Sequence, residues 1–212
     1  MNLDRAKLLG DPAARQVRLS QLYEAHIAPL TSFVESLQAE AGSGAAIPYF
    51  DPWDGGVEAQ ILFLLEAPGR KAVRSGFISR NNPDDTATNF FELNLQAAID
   101  RKRTISWNAI PWYIGTGAKI RAATPADLER GLRPLPRLLD LLPKLEAVVF
   151  VGRKAEKARP EVERLRPNLS LFNCPHPTPM FVNHACGNRD RILAVLRDVA
   201  RCMSMRNAQA RL

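Results

Sequence analysis

The chain has 212 residues, 46% apolar and 24% charged, a balance that suits a buried core and excludes wholesale disorder. No apolar run reaches the roughly 18 residues a membrane span needs, and the start, Met1-Asn2-Leu3-Asp4-Arg5, lacks the basic-then-apolar pattern of a secretory leader. The formal charge of +7 admits nucleic acid, an anionic surface or an acidic partner.

The charge is uneven. Residues 1–152 are balanced, and the whole positive surplus lies from Arg153 onward. Within the balanced part, Arg70, Lys71, Arg74 and Arg80 cluster with no acid among them. Three cysteines (Cys174, Cys186 and Cys202), all late and in no C-x-x-C pair, argue against a disulfide framework or a thiolate metal site. Three scattered histidines make no zinc spacing. The expectation is a cytoplasmic monomer with no metal, cofactor or membrane contact.

Residues 19–37 carry apolar side chains at three-and-four spacing, which predicts an amphipathic helix that Pro29 kinks or breaks. His26 shares the apolar face and reads as a structural residue. This helical arm, at about residues 13–40, ends at Ala41-Gly42-Ser43-Gly44, and residues 1–212 are expected to form one domain. After the turn-rich Asp51–Gly56, Gln60–Leu65 is a short continuous apolar run, as expected of a strand buried on both faces. Ile105–Ile110, Ala147–Val151 and Leu169–Asn173 are read in the same way. Helices are predicted between and after them: Thr88–Arg101 with Phe91, Leu95, Ala98 and Ile99 on one face, Pro125 to about Leu142 with Thr124 as cap, Lys154–Arg166, and Arg189 to about Met205. Strands alternating with helices predict an α/β fold, a three-layer αβα sandwich around a four-stranded, mostly parallel sheet.

In such a sheet, ligands bind beyond the carboxyl ends of the strands. The first strand leads into Glu66-Ala67-Pro68-Gly69, the second into Asn108, the third into Gly152-Arg153-Lys154, and the fourth into Cys174-Pro175-His176-Pro177-Thr178-Pro179. Each residue alone has a structural reading: Glu66 as a cap or ion-pair partner, Asn108 as a turn residue, His184 as a surface residue or a nucleic-acid contact. Their convergence on one sheet edge singles out a carboxylate, an amide, a basic turn and an imidazole, the last held between two prolines that restrict its backbone. A phosphate loop, a dinucleotide fingerprint and a nucleophile elbow are all missing from the sequence.

Leu64-Leu65-Glu66-Ala67-Pro68-Gly69 resembles the Gly-Glu-Ala/Gly-Pro-Gly motif of the uracil-DNA glycosylase superfamily, closest to the branch typical of thermophiles. Pro175-His176-Pro177-Thr178-Pro179 is similar to its His-Pro-(Ser/Ala/Thr)-Pro motif, Ser75-Gly76-Phe77-Ile78 to its Gly-x-Pro-Phe segment, Trp107-Asn108-Ala109 to its Thr-Asn-(Val/Ile) strand end, and Val149–Ala155 to its Leu-Gly-x-x-Ala turn. The resemblance implies a monofunctional DNA repair glycosylase of the base excision pathway. Such an enzyme would be nucleoid-associated, would act on uracil in single- or double-stranded DNA by base flipping, and would have other deaminated bases as candidate substrates.

It further implies that Glu66 and the Ala67-Pro68 backbone hold or activate the attacking water, and that His176 stabilises charge on the departing base. Phe77 would stack on the base and Asn108 would read its edge. Arg70, Lys71, Arg74, Arg153 and Lys154 would contact phosphates, and Met180 and Phe181 would fill the vacated stack. The chain departs from that branch in three ways: it lacks four cysteines for an iron–sulfur cluster, Leu65 stands in place of glycine, and Arg70-Lys71-Ala72 replaces an acidic continuation. Two other readings stay open, a DNA-binding protein of this fold with weak or no turnover and a hydrolase or transferase acting on free nucleotides.

Overall fold

In the computed structural model, which describes residues 4–42, 45–116 and 119–209, the four apolar runs form one all-parallel sheet. Its strands are β1 (Ile61–Leu65), β2 (Thr104–Asn108), β3 (Ala147–Val151) and β4 (Ser170–Cys174), in the spatial order β2-β1-β3-β4. Nine α-helices lie among the described residues: α1 (Pro12–Ser20), α2 (Ala28–Ala41), α3 (Arg70–Ser75), α4 (Asp85–Gln96), α5 (Pro125–Leu132), α6 (Leu135–Asp140), α7 (Arg159–Leu165), α8 (Pro179–Val182) and α9 (Asn188–Gln209). None is long and apolar enough to cross a membrane.

Side chains alternate across a strand, and here the alternation builds two cores. Leu62 and Leu64 of β1, Ile105 and Trp107 of β2, and Val148 and Phe150 of β3 pack on one face with α2, α6 and α7. Ile61, Phe63, Val149 and Val151 pack on the other with α4 and α9. The result is the expected αβα sandwich with a four-stranded parallel sheet.

Several elements differ from expectation for local reasons. The first helix breaks ahead of Pro29, across residues 21–27, and the proline sits in the first turn of α2, where a missing N–H costs nothing. In α4 the buried residues are Ala87, Phe90, Leu93 and Asn94, with Leu95 71% exposed, so its inward face is rotated from the one predicted through Phe91 and Leu95. The helix ends where Ala98 turns to a φ of 54°. The predicted helix after Thr124 begins with that residue's capping box and splits into α5 and α6 at Pro134.

Strand β2 is the informative difference. Its register pairs Thr104 with Ile61, Ser106 with Phe63 and Asn108 with Leu65, so on the face where its neighbour is apolar this edge strand carries a hydroxyl, a hydroxyl and an amide. All three residues are buried. The strand is a polar–apolar alternation rather than the continuous apolar run expected, and its polar face is roofed by residues 78–82 and by α4.

A buried charge network holds that roof. Asp51 accepts hydrogen bonds from Arg18 Nε at 2.7 Å and Arg101 Nη2 at 2.6 Å, and also from the Ser79 hydroxyl. Arg18 Nη2 reaches Asn81 Oδ1 at 3.0 Å, and the Arg18 guanidinium lies 3.1 Å from the centre of the Trp53 ring. Arg101 also bonds Asp54 and Asp4. Burial alone would raise the Asp51 pKa, but Arg101 and Arg18 outweigh it and hold the carboxyl at about 2.

Removing one partner of a buried pair strands the other charge, at a cost of about 3–5 kcal/mol. Arg18→Met should therefore lower unfolding free energy by about that amount in urea titration. Lys7→Met, which breaks the exposed pair with Asp85, should leave the urea midpoint almost unchanged.

Candidate functional site

Two backbone registers bring the strand ends together. Leu65 lies beside Asn108, and past the ladder the Ala109 and Ile110 amides donate to the Leu65 and Glu66 carbonyls at 2.8 and 2.9 Å, which sets Glu66 next to the Asn108 turn. On the other side of β1, Val151 lies beside Cys174, and the Gly152 amide donates to the Cys174 carbonyl at 2.8 Å. Gly152 then takes a φ of +91°, and a Cβ there would stand 3.1 Å from the His176 Cβ. Only glycine tolerates both the left-handed backbone and that approach. The Asn89 amide of α4 donates to the Pro177 carbonyl at 3.0 Å and ties down the proline-flanked loop.

Glu66, Ala67, Asn108 and His176 line one cavity of about 400 Å³, together with Arg70, Lys71, Ile78, Ser79, Arg80, Asn82, Asp84, Phe90, Ser106 and Ile114. That is within the usual range for small-molecule sites. Three buried donor-capable atoms of its lining residues have no partner among the described residues: Asn108 Nδ2, His176 Nδ1 and Arg80 Nε. Buried polar atoms are rarely left unpaired, which sets these three apart from the rest of the cavity wall.

Burial pushes the His176 pKa below the ordinary histidine value, against the opposing pull of Glu66 and Asp84, so the ring is neutral at pH 7. The Glu66 carboxylate accepts a hydrogen bond from Lys154 Nζ at 2.8 Å in a partly exposed pair.

The other predicted site residues divide. Phe77 is corrected: it is fully buried and packs with Leu9 and Leu22, not in the cavity. Residues 77–78 pair in parallel with Tyr49–Phe50, and the alternation that turns Phe77 toward the N-terminal arm turns Ile78 toward the cavity. Arg70 and Lys71 are exposed on the cavity wall. Arg74 is exposed beside it, on a cleft shared with Lys71 and Arg15. Arg153 lies beyond His176, in a cleft it shares with Phe181 and Arg191. Met180 is 82% exposed, whereas Phe181 is half-buried against the α9-side core.

Arg80, grouped above with the basic cluster, is buried and donates to the Thr104 hydroxyl at 2.6 Å. Burial lowers its pKa, with Asp54 acting against the shift. Sequence reading missed Arg80, Asn82, Asp84 and Ser106 as cavity residues. The period-two pattern Thr104-Ile105-Ser106-Trp107-Asn108 was the available signal for Ser106, and nothing local marked the other three. His26 is structural, its Nε2 lying 2.8 Å from the Pro52 carbonyl. His184 is exposed.

Because the fold lowers the His176 pKa, the unfolded chain takes up its proton first as pH falls. The associated stability is complete above pH ~6.5 and is lost below it. An NMR titration should show the His176 ring protonating below pH ~6.5, the ordinary histidine value.

A model of the Uracil DNA glycosylase superfamily matches residues 52–200 of the chain. The structure is similar to that of a putative uracil DNA glycosylase from Methanosarcina acetivorans, solved in solution by NMR, with 19% identity, 68% of this chain and 92% of that one covered, and a TM-score of 0.50. It is also similar to the crystal structure of wild-type SMUG2 from Pedobacter heparinus, with 13% identity, 86% of each chain covered and a TM-score of 0.56. At these identities the likeness is one of fold. No curated protein matches the chain in sequence.

Proposed function

Because the chain belongs to the uracil DNA glycosylase superfamily, we propose that it removes uracil from DNA by everting the nucleotide into the cavity at the carboxyl ends of β1 and β2. The observation that carries this reading is the convergence of Glu66, Asn108 and His176, from the ends of three strands, on that single cavity. Eversion costs a few kcal/mol of stacking and pairing. Phosphate contacts from Arg70, Lys71, Arg74 and Arg153 around the rim offset it, with the steep salt dependence such contacts bring. Met180, which is exposed, enters the vacated stack.

Inside, the Asn108 amide pairs with the polar edge of the base, its unpartnered Nδ2 donating to a carbonyl oxygen and its Oδ1 accepting from the ring N–H. Cytosine presents the reverse pattern. Ile78 and Phe90 give the base its apolar contact in place of Phe77. Cleavage of the N-glycosidic bond leaves negative charge on the base and positive character on the sugar. A neutral His176 donates a hydrogen bond to the developing oxyanion and gains strength as the charge grows. The Glu66 carboxylate favours the cationic sugar and orients the water that completes hydrolysis, aided by the Ala67-Pro68 backbone.

The Lys154–Glu66 ion pair gives a second reading its one support: a protein that binds the everted nucleotide while its carboxylate stays engaged, without turnover. An oligonucleotide with one uracil, incubated with protein and EDTA and then treated with alkali, distinguishes the two. Strand scission is the result expected, and tight binding with intact glycosidic bonds is the result of the second reading. Asn108→Ala and His176→Ala should each lower the single-turnover rate about 10²–10³-fold. Phe77→Ala should instead cost about 3–5 kcal/mol of stability and leave the rate of the folded fraction unchanged.

A further inference from the structure

A second groove lies just past the polar strand. It has a volume of about 620 Å³ and is lined by Trp112 and Tyr113 from the segment after β2, by Arg130 of α5, Arg133 between α5 and α6 and Arg137 of α6, and by Glu40 at the end of α2, among others. Three arginines against one carboxylate give it a positive surplus. Arg137 is engaged with Glu40 at 2.8 Å and with the Ser36 hydroxyl at 2.7 Å. Arg133 approaches Glu129 at 3.8 Å with both side chains largely exposed, a contact of little energetic weight.

Arg130 pairs with no carboxylate among the described residues. Its guanidinium lies 4.2 Å from the centre of the Trp112 ring and is exposed. A planar cation backed by an indole is a stacking surface for any nucleobase.

The groove is joined rigidly to the cavity. Tyr113 lines the groove and Ile114 lines the cavity, so successive residues of one segment wall both. Trp112 and Ile114 are separated by at most about 7 Å of chain, the rise of about two stacked nucleotides at ~3.4 Å each. A Cβ on Gly131 would stand 2.4 Å from the Ala109 carbonyl oxygen, so the helix carrying Arg130 packs directly on the backbone that follows Asn108.

We propose that this groove holds single-stranded DNA flanking the everted nucleotide, one base stacking on the Arg130–Trp112 plate while Arg130 and Arg133 neutralise phosphates. The inference rests on the reading of the chain as a DNA-acting enzyme. This surface lies in the part of the sequence, up to residue 152, whose charges balance overall.

Fluorescence anisotropy with a short labelled thymidine strand and with the corresponding duplex tests it. Arg130→Ala/Arg133→Ala, at two exposed positions that leave the core intact, should weaken single-strand binding about tenfold or more. It should also flatten the log–log salt slope by about 1.4 and affect duplex binding less. Unchanged single-strand affinity and slope in a variant whose parent binds DNA overturns the groove assignment alone. Failure of the unmodified protein to bind either DNA overturns the glycosylase reading with it. Displacement of the labelled strand by polyglutamate as readily as by unlabelled strand overturns the proposal in favour of an acidic peptide.

Discussion

Asp51 is fully buried, and its carboxylate stays ionised there because Arg18 and Arg101 both reach it. The first arginine belongs to the N-terminal arm and the second to the turn that feeds β2, while Ser79 brings in the chain segment between α3 and α4. Three pieces far apart in sequence are thereby fixed to one point. The segment at residues 78–82 then has to lie over the polar face of β2, and the space left between them is the cavity. Charge burial is costly unless fully compensated, which is why this corner of the fold has little freedom to relax.

The remaining walls follow from strand register. In the order β2-β1-β3-β4 the chain reverses direction across the sheet at β1, where the loops after neighbouring strands diverge and leave a crevice. Glu66 sits at that point, with Asn108 on one side. The Gly152 turn lies on the other side and leaves room for His176. Unpartnered atoms at Asn108 and His176 mean that the folded chain bears the desolvation cost of these polar groups without a compensating hydrogen bond. Burial disfavours the charged form of the His176 ring, with Glu66 and Asp84 pulling the other way, and the neutral ring keeps one N–H donor.

Much of this was legible in the amino-acid order. The apolar runs marked the strands, the prolines around His176 marked a rigid loop, and the residues following each run marked the shared edge, because strand direction alone decides which ends meet. Phe77 was misplaced because its neighbour Ile78 is equally apolar and a two-residue strand gives no pattern from which to read its facing. Arg80 was grouped with Arg70, Lys71 and Arg74 for a similar reason, since nothing adjacent to it reveals that Thr104, twenty-four residues on, takes its hydrogen bond. The α4 face was misjudged by a fraction of a turn because Phe90 and Phe91 are both candidates for the inward position. Each miss concerns which way a side chain faces, a matter that tertiary packing decides.

If the polar edge of β2 and the imidazole after β4 bound one base together, free uracil should be seen by both at once. Titrating it into isotopically labelled protein and following the Asn108 side-chain amide and the His176 ring should give saturable shifts with a single dissociation constant, and Asn108→Ala should abolish the shift at His176. Independent responses at the two groups, or none at either, would show that they do not share a binding site.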